Sequence, residues 1–90
     1  MRAFVPCKIG QGFLSNERVI TIKDIEGQEH TSIVAEDEIE GNKVEVSVVK
    51  VQDDKALIHM PGEPFYLSSI FVRKDQLIIE WFLPIGRKKQ

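Results

Sequence analysis

Ninety residues, 42% hydrophobic and 29% charged, have the composition of one ordinary globular domain and exclude a disordered chain. No apolar run reaches the roughly eighteen residues of a helical membrane span. A net charge of −2 excludes the broad basic face of a duplex-DNA binder.

The first predicted strand is Ala3 to Ile9. Pro6 donates no backbone hydrogen bond, so the strand belongs at a sheet edge or at the start of pairing. Cys7 is the only cysteine, and a lone cysteine builds no intrachain disulfide. With no histidine near it in sequence, it reads as a small buried hydrophobe. The N-terminus also lacks an apolar core long enough for a secretory signal, and the expected compartment is the cytoplasm. Gly10-Gln11-Gly12 then interrupts the run. The two glycines resemble the opening of a phosphate loop, but no third glycine, Lys-Ser/Thr pair or helix follows. Phe13-Leu14 is expected to lie over one end of the fold.

Arg18 to Ile25 is the second strand, with Ile20 and Ile22 on one face and Val19, Thr21, Lys23 and Ile25 on the other. Glu26-Gly27-Gln28-Glu29 makes a hairpin turn into the third strand, His30 to Ala35. Glu36, Asp37, Glu38 and Glu40 follow as an acidic cluster. Mutual repulsion predicts a solvated loop or a short helical turn, and the alternate Asp/Asn ligands and glycine of a calcium loop are missing. Glu40-Gly41-Asn42-Lys43 is the clearest hairpin signal, with Gly-Asn suited to a primed turn.

Lys43 to Val51 is the valine-rich strand. Val44, Val46 and Val48 share a face, but Val49 and Val51 fall out of phase. A bulge between Ser47 and Val49 restores the period and bends the strand. After the Gln52-Asp53-Asp54-Lys55 turn, Ala56, Ile58 and Met60 point inward from a fifth strand. Pro61-Gly62-Glu63-Pro64 stops ladder pairing. Phe65 to Arg73 is the sixth strand, kinked at Ser68-Ser69, and Gln76 to Leu83 the last, with Leu77, Ile79, Trp81 and Leu83 on one face.

About seven short strands with frequent turns predict an all-β fold. The layout is that of a small antiparallel barrel, SH3-like in its early loop and bent strand, with an OB-like barrel as the alternative. One domain is expected over residues 1–84, with a short basic tail at 85–90.

His30 and His59 lack the spacing of a metal or catalytic site, so neither metal nor cofactor is expected, and no acid, base and nucleophile converge to make an enzyme. The expected function is therefore non-enzymatic: binding a protein partner, or self-association, through a sheet edge or an aromatic patch. The first strand and the last are the expected edges. Adjacent aromatics in a strand face opposite sides, so one of Phe65-Tyr66 and one of Trp81-Phe82 should leave the core. With Arg73 beside them, Phe65, Tyr66, Trp81 and Phe82 are the candidate contact residues. The alternative is a single-stranded nucleic-acid binder that stacks bases on these aromatics, with Arg73, Lys74 and the tail on the phosphates.

Overall fold

The strand predicted from Ala3 to Ile9 is two strands, β1 (Arg2–Pro6) and β2 (Lys8–Gln11), and the break between them divides the protein into its two sheets. Pro6 has no N–H, and the Cys7 N–H turns to the Asn42 carbonyl (2.9 Å) before the chain crosses to the second sheet. The computed structural model describes residues 1–80; the predicted domain end at 84 and the tail lie outside the described residues.

The remaining strands are β3 (Glu17–Lys23), β4 (Glu29–Ala35), β5 (Ile39–Glu40), β6 (Lys43–Gln52), β7 (Lys55–His59), β8 (Glu63–Pro64), β9 (Ser69–Arg73) and β10 (Ile78–Glu80). All pairings are antiparallel. The larger sheet runs β10-β1-β6-β7-β9, with β5 also paired to β6, and the smaller runs β2-β3-β4-β8. Among the described residues the only helical turns are 3-10, at Glu36–Glu38 and Lys74–Gln76. The fold is all-β, as the alternation and turn chemistry predict, and its strands form two antiparallel sheets.

The acidic cluster is one 3-10 turn followed by β5, held outward by ion pairs from Arg18 to Glu36 (2.9 Å) and from Arg2 to Glu40 (3.2 Å). The β5–β6 turn has positive φ at Gly41 alone (61°), the arrangement of a primed turn with glycine first. Register in β6 shifts between Val48 and Lys50. That bulge returns Val51 to the same face as its cross-strand partner Ala56, which accounts for the out-of-phase valines. The core joins both sheets: Ala3, Val5, Val44, Val46, Ala56, Ile58, Met60, Ile70 and Val72 from the larger, Ile20, Ile22 and Val34 from the smaller. Ser32, fully buried, donates its hydroxyl to the Pro61 carbonyl and so ties β4 to the segment that leads into β8.

Phe4 is also fully buried, but on the opposite face of β1 from Ala3 and Val5. Its cover is charged: the Arg2 guanidinium and the Lys43 ammonium stand 5.0 and 4.8 Å from the ring centroid. Glu45 holds Arg2 there and Glu80 holds Lys43, so two ion pairs close over one aromatic ring.

Two expectations need correction. Ala3 and Phe4 pair on both sides, with β10 and with β6, so β1 is interior, and of the predicted first strand only β2 lies at a sheet edge. Phe65 to Leu67 are not in a strand: β9 begins at Ser69, because Met60 N–H bonds to the Ser68 carbonyl (2.8 Å) and closes the intervening chain into a loop.

Candidate interaction surface

Pro64 pairs opposite Ser32, and the Phe65 N–H reaches the Thr31 carbonyl (3.0 Å), so the chain follows the edge of β4 for three residues before it turns away. The turn leaves Phe65, Tyr66 and Leu67 on an exposed crest, with Tyr66 90% accessible. Leu67 borders a cleft of about 260 Å³ shared with Ile25, Ile70, Phe71 and Lys55. The cleft exists because the β3–β4 turn docks on the outer edge of β9, where Ile25 N–H bonds to the Phe71 carbonyl (2.8 Å). Lys55 closes one wall, its ammonium 4.7 Å from the Phe71 ring.

Asp24 holds that turn in shape. Its Oδ1 accepts the backbone N–H groups of Glu26 and Gln28, each at 2.9 Å, and its Oδ2 lies 2.8 Å from His30 Nε2. Burial pushes the Asp24 carboxyl up, but the hydrogen bonds from His30, Gln28 and Glu26 outweigh it and hold the group below the ordinary carboxylate value. A carboxyl depressed by folding contributes stability that is full above its unfolded pKa, near 4, and is lost as pH falls through the lower folded value. Asp24→Asn keeps an acceptor oxygen and removes the charge. The Tm difference between the parent and Asp24→Asn should therefore be largest at neutral pH and shrink steadily as the solution is acidified below about pH 4. A difference that does not change with pH would remove the charge from the account of this turn.

Of the candidate contact residues, Phe65 and Tyr66 come together with Leu67, which the sequence reading left out. Arg73 stands at the far end of β9, four residues or about 13 Å beyond Ser69, and is tied to Asp75 (Nε–Oδ1 3.0 Å). Trp81 and Phe82 lie outside the described residues. Arg73 and Lys74 share their surroundings with Asp53, Asp54 and Asp75.

The sequence reading also missed a second apolar site. Phe13 and Leu14 do not cover the fold: Phe13 is 81% accessible and Leu14 is largely exposed, at the tip of the β2–β3 hairpin beside a groove of about 640 Å³. An apolar pair set in a glycine- and asparagine-flanked turn, outside any alternating run, was the available signal. Cys7 is half-buried, and burial pushes its thiol up, which lowers the thiolate fraction. No group of three or more His, Cys, Asp or Glu side chains converges for a metal among the described residues, and no helix there is long and apolar enough to cross a membrane. No family model, curated protein or solved structure matches this chain.

Proposed function

We propose that this chain is a non-enzymatic interaction module that binds a protein partner through the Phe65-Tyr66-Leu67 crest and the adjoining cleft. The observation that carries the reading is the near-complete exposure of Tyr66 between two half-exposed apolar side chains, whereas Phe71, the aromatic on the neighbouring β9, is partly covered. Aromatic side chains bury large area at small entropic cost and dominate contact energies. The cleft beside Leu67 combines the apolar Ile25, Ile70 and Phe71 with the charged Lys55, Asp24 and Glu26, which suits an apolar side chain on an extended peptide. The long, bulged β6, paired with both β1 and β7, supports a small-barrel layout of the SH3-like kind as the frame for this surface.

A nucleic-acid role has less support. The two cations next to the crest in sequence, Arg73 and Lys74, sit among three carboxylates that repel phosphate. The two readings separate in one experiment: panning a displayed random-peptide library and a mixed single-stranded oligonucleotide pool against the protein at low and moderate salt. Selected peptides should bind the parent and lose about tenfold or more in affinity to Phe65→Ser/Tyr66→Ser, folding unchanged. Salt-dependent capture of oligonucleotides without peptide selection would transfer the assignment to nucleic acid.

A further inference from the structure

We infer that β2 is the self-association edge of this protein, joining it to a second copy of the same chain about a two-fold axis at Gly10. This surface lies apart from the crest, and the inference does not rest on the reading of the crest. β2 pairs with β3 on one side, and among the described residues no strand pairs with its other side. All four of its residues are exposed. Sheet edges are normally guarded by charge, proline or a bulge. Here the run from Ile9 to Asn16 has no charged residue and no proline. Lys8, which precedes the run, pairs with Glu29, and beyond Glu17, which follows it, Arg18 pairs with Glu36, each pair at 2.9 Å.

The argument for a second copy is self-complementarity along the edge. In an antiparallel pairing with Gly10 opposite Gly10, Ile9 of each copy stands beside Gln11 of the other. The two edge strands then continue one sheet through both molecules, with the faces of each preserved. Phe13 lies three residues beyond the axis and Cys7 three residues before it, each at most about 10 Å away. The exposed Phe13-Leu14 tip of one copy therefore comes level with the Pro6–Lys8 corner of the other. That corner borders a cleft of about 300 Å³ lined by Pro6, Cys7, Thr21 and the Lys8 and Lys23 side chains. Knob and cleft occupy opposite ends of the same edge, so one two-fold operation fills both, as a closed isologous interface requires. The contact sets no charged residue of β2 opposite another, although the chain as a whole carries −2.

Gly10 supplies the decisive test. A Cβ built there meets only the Val19 carbonyl oxygen, at an ordinary 3.7 Å, so a side chain fits the monomer. Gly10→Lys sets two ammonium groups opposite each other across the axis, and Gly10→Glu does the same with carboxylates. By light scattering at about 100 µM, the parent should have twice the chain mass and each Gly10 variant the mass of one chain. An equimolar mixture of the two variants should regain the doubled mass. Phe13→Ser/Leu14→Ser should fall to one chain mass, and Tyr66→Ala should stay doubled. A monomeric parent, or a dimer that persists in the charge and tip variants, overturns the inference. Failure of the mixture to reassociate, with both variants folded by circular dichroism, overturns the axis at Gly10. Should a Gly10 variant not fold, the Phe13/Leu14 variant decides alone, in the same two directions.

Discussion

Val46→Asp abolishes cooperative folding, and Glu45→Lys, one residue away, leaves the domain folded with Tm lowered by about 4 °C or less. Val46 is 7% accessible and sits opposite Ala3 in β1, in the core shared by both sheets. A carboxylate there enters the apolar cluster formed with Ala3, Val5, Val44, Ala56 and Ile58. Its burial costs several kcal/mol, against a total stability of about 5–15 kcal/mol for a domain of this kind. Glu45 points to the other face, where it meets Arg2 through two hydrogen bonds at 3.1 and 3.3 Å. The Arg2 guanidinium holds the Glu45 carboxyl below its ordinary value, but the pair is part-exposed and solvent screens it. Lysine at 45 repels Arg2 and loosens the cover over Phe4 without opening the core. Urea denaturation with circular dichroism checks both: an absent transition in Val46→Asp and a full-amplitude one in Glu45→Lys. Equal loss in the two variants would mean that the outer face of β6 matters as much as the inner.

Gly62→Ala should be the most damaging of the small substitutions, lowering stability by about 3–5 kcal/mol. Gly62 has φ +65°, where an L side chain costs about 1–2 kcal/mol by itself. The space is also missing. A Cβ at this position collides with the Ile33 carbonyl oxygen and stands 2.9 Å from Val34 Cγ1, so β8 must leave the edge of β4 to make room. That movement also strips Ser32 of the Pro61 carbonyl it donates to, leaving a buried hydroxyl unsatisfied. Gly41→Ala is the control. Its φ is +61°, yet nothing lies within 4 Å of the added atom, so only the conformational cost of about 1–2 kcal/mol applies. Calorimetric Tm values for the two variants separate crowding from backbone strain. Equal Tm values would leave strain as the whole effect and remove the close approach of β8 from the account.

The local signals in this chain were legible. Alternation at Val44/Val46 and Ala56/Ile58/Met60 identified buried faces, and it grouped Ile20 with Ile22 on one face, because a strand that rests on a core exposes only every second side chain. The phase slip at Val49 located the bulge for the same reason, since a period of two tolerates no extra residue without one. The crest was half-legible: alternation predicted one exposed aromatic of the pair Phe65-Tyr66, and both are exposed. The reason given, opposite faces of one strand, was wrong, because the Met60–Ser68 hydrogen bond takes them out of the ladder.

The sequence by itself determined that this chain is all-β, where most of its hairpin turns fall and that Val46, Ala56, Ile58 and Met60 are buried, because each of these is set by residues within a few positions of one another. Only the tertiary structure decided that β1 is interior and β2 an edge, that Phe13-Leu14 stands clear of the fold, that Asp24 meets His30, and that Arg2 and Lys43 close over Phe4. Strand order and the cover of a side chain depend on pairings tens of residues apart, such as Ala3 with Val46 and with Ile79. Alternation along one strand carries no information about which other strand will lie beside it.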